Sequence, residues 1–104
     1  MAFLDVGRAS SLPPNSVMEV EVGDRLFAIC NVGGTLYALD GICPHTGGPL
    51  GQGQIDEGRL VCPYHMWEFD CRTGEFDYDP SKRVATFEVR VEGDDILLEV
   101  PERA

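Results

Sequence analysis

Hydrophobic and polar residues alternate one by one along the regular stretches of this chain. In "VMEVEV", residues 17–22, Met18, Val20 and Val22 fall on one side and Glu19 and Glu21 on the other. A period of two is the pattern of a half-buried β-strand. Gly23 and Asp24 then read as a turn, "RLFAICNV" as the returning strand, Gly33 and Gly34 as a second turn and "TLYALD" as a third strand. Further on, "VATFEVRV" from Val84 sets Ala85, Phe87, Val89 and Val91 opposite Thr86, Glu88 and Arg90. "GDD" at 93–95 turns this run into "ILLEV". No segment of helical length keeps a 3.6-residue period, and "LPP" at 12–14 and "DPS" at 79–81 break the chain further. The pattern predicts an all-β fold, a small antiparallel β sandwich or barrel-like base. From about residue 41 to residue 74 the alternation fails, and a loop-rich region is expected to be set into that base.

Length changes the picture little: 104 residues imply a single domain, 1–104. A chain of this size buries roughly 65% of its unfolded surface, so bound metal can supply part of its stability. Hydrophobic residues make up 43% of the chain, as in a globular protein. No apolar run approaches the ~20 residues of a bilayer span. The opening "MAFLDVGRAS" lacks a basic stretch followed by an apolar one, so no secretory signal is expected. Those features predict a cytoplasmic protein with reduced thiols. The net charge of −10 makes nucleic acid and anionic membrane poor partners. A basic protein partner fits that charge, and so does simple solubility.

The chemistry is concentrated in "CPHTGGPLGQGQIDEGRLVCPYH", residues 43–65. This stretch holds two of the four cysteines and both histidines. Cys43 and His45 are separated by one residue, and Cys62 and His65 by two. Thiolate and imidazole are good transition-metal ligands, and two short loops, each with one sulfur and one nitrogen, can grip a centre from two sides. A disulfide framework suits a secreted chain better than this one. Two metal readings remain. One is a structural Cys2His2 zinc site in an interaction module, although zinc loops commonly pair cysteine with cysteine. The other is a two-iron cluster with cysteines on one iron and histidines on the other.

"CPH" and "CPYH", with the following "WEFDCRTGE", resemble the Rieske family and in particular the ferredoxin components of bacterial ring-hydroxylating dioxygenases. The resemblance implies a [2Fe-2S] cluster in the 41–74 subdomain, with Cys43 and Cys62 on the buried iron and His45 and His65 on the outer one. It implies that Gly47 and Gly48 bring backbone close to the cluster, that Pro49 and Leu50 cover one side, and that Pro80 sits in a third shielding loop. High-potential members join their cluster loops by a disulfide, but the matching positions here are Gly48 and Tyr64. Where those members place serine and tyrosine hydroxyls against the cluster, this chain has Trp67 and Phe69. The expected potential is therefore at the low end of the Rieske range of roughly −150 to +300 mV. Met66 stands where relatives commonly have glycine.

The chain has no further histidine for a mononuclear iron and no GxGxxG after a strand. An electron carrier is expected, not an enzyme, taking electrons from a flavin-dependent ferredoxin reductase and passing them to a terminal oxygenase. The alternative within the same fold is the small subunit of an assimilatory nitrite reductase. Cys30, in "FAIC", is expected to be a core thiol. Cys71 lies close in sequence to the second loop, where a spare ligand is conceivable but not expected. The acidic run "EFDYD" at 75–79 is a candidate for steering a basic partner.

Overall fold

The computed structural model describes residues 2–43, 47–64 and 66–100. Twelve strands follow one another: β1 Ala2–Arg8, β2 Ser16–Val22, β3 Arg25–Val32, β4 Thr35–Asp40, β5 Gln54–Asp56, β6 Arg59–Val61, β7 Glu68–Asp70, β8 Glu75–Phe76, β9 Asp79–Arg83, β10 Thr86–Phe87, β11 Val89–Glu92 and β12 Asp95–Val100. The only other regular elements among the described residues are 3-10 turns at Ala9–Ser11 and Leu50–Gln52. The fold is all-β, as the alternation predicts. Its strands form three open antiparallel sheets, ordered β1-β12-β11, β10-β4-β3-β2 and β5-β6-β7-β8-β9.

The meander β2–β3–β4 matches its pattern nearly residue for residue, with turns at Gly23-Asp24 and Gly33-Gly34 where φ is positive. Met18, Val20 and Val22 of β2 do share a face. They pack with Phe27, Ile29, Ala38, Ile96 and Leu98 in a core between this sheet and the β1-β12-β11 sheet. Phe27 meets Phe87 edge-on at 5.1 Å.

Two features depart from the expectation. First, β1 pairs along its length with β12, from Ala2 opposite Val100 to Arg8 opposite Asp95. Second, the run from Val84 is not one strand. Thr86 and Phe87 pair with β4, whereas Val89–Glu92 pair with β12 in another sheet. The chain changes sheets at Glu88. Phe87 and Val89 keep their place against the core, while Ala85 and Val91 are exposed.

The region from β5 to β9 is built differently. Its strands are two to five residues long, and a second core lies beneath them. That core contains Leu50, Leu60, Phe69, Phe76 and Val84, together with Ala28, Cys30 and Leu39 from the β2–β4 sheet. All four cysteines belong to it.

Candidate metal centre

Two loops carry the expected ligands, and they close in the same way. The first leaves β4, and its neck is held by Gly41 N–H donating to Leu26 O and Leu50 N–H to Gly41 O, both at 2.9 Å. Beyond that neck, Cys43 N–H donates to Gly48 O at 2.8 Å, and Gly47 N–H donates back to Cys43 O at 2.8 Å. The second loop joins β6 to β7, and there Cys62 N–H donates to Trp67 O at 2.8 Å. In each loop the cysteine amide reaches a carbonyl five positions on. The fourth residue after each cysteine has left-handed backbone, Gly47 at φ +75° and Met66 at φ +59°. Glycine adopts this conformation freely, whereas another residue sacrifices roughly 1–2 kcal/mol.

The loops meet at Gly48. A Cβ there would lie 2.9 Å from the Tyr64 ring and 3.3 Å from Cys62 Sγ, so only glycine lets the first loop run against the second. Cys43 is 1% exposed and Cys62 is fully buried, and both belong to one core. Cys62 Sγ also accepts the Tyr64 N–H at 3.4 Å. Were Cys62 a ligand, an amide aimed at its sulfur would be the kind of outer contact that tunes an iron–sulfur centre. His45 and His65 lie outside the described residues. Consequently no group of three or more metal-ligating side chains converges among the described residues.

Around the loops, Ile42, Tyr64 and Met66 are exposed apolar side chains. Behind them, Trp67 stacks on Phe76 at 3.9 Å and 9°, with Phe69 5.7 Å from Phe76. Phe69 is fully buried, and these aromatics pack the floor of the region. Leu50 is also fully buried in this core, and Pro49 bridges to Ile42. Pro80 is not in a loop: it lies in β9, at the edge of its sheet, where a missing N–H is tolerated.

The acidic run is largely engaged within the chain. Glu75 pairs with Arg83 at 2.8 Å and Asp77 with Arg59 at 3.0 Å. Asp79 accepts the Ser81 hydroxyl at 2.6 Å, and that bond holds its carboxyl below the ordinary value of 3.8. Tyr78, between them, is 85% exposed. The sequence also concealed that Cys30 and Cys71 are buried in the same core as Cys43 and Cys62, and nothing in their spacing indicates it.

The donor set suits an iron–sulfur cluster. Two buried sulfurs come from different loops into one core, one of them takes a backbone N–H, and glycine clears the space beside it. The model of the Rieske [2Fe-2S] domain family matches residues 2–88. The chain belongs to the Rieske family. A Rieske-type [2Fe-2S] cluster is accordingly its cofactor. The chain is 31% identical to the ferredoxin component of biphenyl 2,3-dioxygenase from Rhodococcus jostii, over 96% of this chain and 94% of that one. The ferredoxin in a complex of reduced oxygenase and oxidized ferredoxin of carbazole 1,9a-dioxygenase superposes with a TM-score of 0.83 at 28% identity, covering 92% of this chain and 91% of that one. The small subunit of a nitrite reductase from Mycobacterium tuberculosis has the same fold, with a TM-score of 0.83 at 20% identity over 95% and 96% of the two chains. The Rieske ferredoxins among these relatives are the electron-carrying components of their systems, and this chain is a carrier of that type, not a catalytic subunit. Among the described residues, no helix is long and apolar enough to cross a membrane.

Proposed function

We propose that this Rieske ferredoxin carries single electrons from a flavin-dependent ferredoxin reductase to a terminal oxygenase that acts on aromatic rings. It does so as one unit, residues 1–104, in the cytoplasm. The similarity to the biphenyl dioxygenase component along nearly the whole of both chains is the observation that carries this reading.

Cys43 and Cys62 would hold the buried iron, and His45 and His65 the outer one. When bound, the cluster supplies one-electron exchange at low potential. The chain's own residues set the conditions for that exchange. The twin loop closures fix the two cysteines, Gly48 lets the loops meet, and Phe69 and Leu50 keep water from the sulfur side. Trp67 and Phe69 bring no hydroxyl to the site, which leaves backbone amides such as that of Tyr64 as donors. The exposed Ile42, Tyr64 and Met66 form an apolar rim against which a partner can exclude water.

Redox titration followed by electron paramagnetic resonance tests this reading. A rhombic signal of mixed His/Cys ligation is expected, growing in toward the low end of the roughly −150 to +300 mV range. His65→Cys adds thiolate charge and is expected to lower the potential further; a potential that stays or rises contradicts the ligand assignment. A functional test pairs the protein with a ring-hydroxylating oxygenase and separately with the large subunit of an assimilatory nitrite reductase. Turnover with the second alone would move the chain to the nitrite reductase reading, whose support is fold likeness only.

A further inference from the structure

We propose that Met66 is a modification site: a peroxide oxidises its thioether to the sulfoxide, which turns the apolar rim around the metal loops polar and weakens docking of the terminal oxygenase. The part that concerns docking rests on the electron-carrier reading above. Met66 is 58% exposed, and Tyr64 and Ile42 are the other large apolar side chains exposed around these loops. Its backbone is left-handed, at φ +59°, inside the turn that Cys62 N–H closes on Trp67 O at 2.8 Å. A residue with a side chain is strained in this conformation, and the chain carries a long apolar one here nonetheless. The closed turn holds it on the outside of the loop.

Exposure singles out this sulfur. Cys30, Cys43, Cys62 and Cys71 are all buried. Met18 is half-buried in the base, where its Cε lies 3.0 Å from the position of a Cβ on Gly7. Among the described residues, Met66 is therefore the sulfur that an oxidant arriving from solvent meets first. It also lines a cavity of about 160 Å³ together with Cys62 and Pro63. That space admits a peroxide, a molecule not much larger than water with its roughly 30 Å³ of liquid volume. A thioether has no proton to lose before it reacts, so the site needs no neighbouring base or cation to activate it.

The reaction balances in one step. A lone pair of the Met66 sulfur attacks one peroxide oxygen, and the O–O bond breaks as the S–O bond forms. The proton on the transferred oxygen leaves with the departing hydroxide as water. One thioether and one peroxide give one sulfoxide and one water, with two electrons passing from sulfur to oxygen. The new oxygen is an acceptor that a docked partner must strip of water. An acceptor buried without a partner weakens binding by about tenfold or more. Methionine sulfoxide reductases return the thioether, so the change is reversible.

The test treats the cluster-loaded protein with hydrogen peroxide and maps oxidised residues by fragment-ion mass spectrometry while visible absorption is followed. Retention on a hydrophobic-interaction column and affinity for a ring-hydroxylating oxygenase, by calorimetry, are measured before and after. The expected result is sulfoxide at Met66 ahead of Met18, colour retained, earlier elution, and oxygenase binding weaker by about tenfold or more. The oxidation rate should not change with pH, and a methionine sulfoxide reductase should restore retention and affinity. Met66→Leu keeps the rim apolar without the thioether, so neither quantity should respond to peroxide. Met66→Gln should reproduce the treated protein with no oxidant present. Bleaching of the cluster or oxidation of Cys62 ahead of Met66 overturns the proposal. So does a complete Met66 sulfoxide that leaves retention or oxygenase affinity unchanged. If the untreated protein binds no ring-hydroxylating oxygenase, the electron-carrier reading loses its partner, while the oxidation map and the retention shift still decide whether Met66 is the site.

Discussion

The two halves of this molecule are held together by different means. In the base, β2 and β3 pair over seven consecutive positions, from Ser16 opposite Asn31 to Val22 opposite Arg25. Their inner faces bury Val20, Phe27 and Ile29 against Ile96 and Leu98. In the metal-loop half, β5 and β6 pair at three positions, β6 and β7 at three, and β7 and β8 at one. Its core compensates with aromatic stacking and with cysteine sulfur. Long ladders over an aliphatic core form a self-sufficient unit, whereas short ladders around the two proposed ligand sulfurs would make a unit whose order depends on what those sulfurs hold. The arrangement separates a rigid platform from a site that must keep its loops close to the surface.

The largest expected effect comes from removing the metal. With the cluster stripped by a chelator, amide exchange should rise by orders of magnitude in β5–β8 and change little in β2 and β3. Equal loss of protection in both halves would mean that they are one cooperative unit. Next come paired core truncations. Phe27→Ala and Phe69→Ala each delete a fully buried ring and should each cost about 3–5 kcal/mol in denaturant unfolding. Only Phe69→Ala should also speed loss of visible colour. A third comparison uses the two loops themselves. Gly47→Ala places a Cβ at φ +75°, with nothing among the described residues within 4 Å, and should cost about 1 kcal/mol from backbone strain. Met66→Gly removes the same strain and should stabilise by up to about 1 kcal/mol, while changing partner affinity through the exposed rim. Thermal unfolding and oxygenase-coupled turnover measure the two effects.

The smallest effect concerns acid. The Ser10 hydroxyl bond, with lesser help from the Ser10 amide and Arg8, holds the Asp94 carboxyl below its ordinary 3.8. A depressed carboxylate adds stability above its unfolded value and loses it as pH falls through the folded one. Asp94→Asn should therefore lower the melting temperature slightly at neutral pH. The gap should close below pH 3.8. Asp94 is solvent-exposed and sits in the base, so this titration should leave the metal loops unaffected.

The parts of this fold that could be read in advance are those in which a local pattern and a local partner coincide. β2, β3 and β4 are joined by two-residue turns, so alternation identifies the strands and the glycines identify their pairing. β1 went unrecognised because its partner, β12, lies at the other end of the chain. The run from Val84 was legible as β structure but not as two strands, since alternation continues through Glu88 while the hydrogen-bonding partner changes from β4 to β12. β5–β9 are too short for any period to register.

Composition and spacing alone supplied the proposed donor set: two Cys/His pairs, the only histidines in the chain, and no hydroxyl at positions 67 and 69. These are properties of residue identity, and no folding can alter them. Tertiary structure decided which distant groups meet. It set Gly48 against Cys62 and Tyr64, and it buried Cys30 of β3 and Cys71 in one core. It also committed Glu75 and Asp77 to Arg83 and Arg59. Each of those contacts joins segments that no local pattern couples: the first two come from packing sheets over a shared core, and the ion pairs from strand order within one sheet, at its surface.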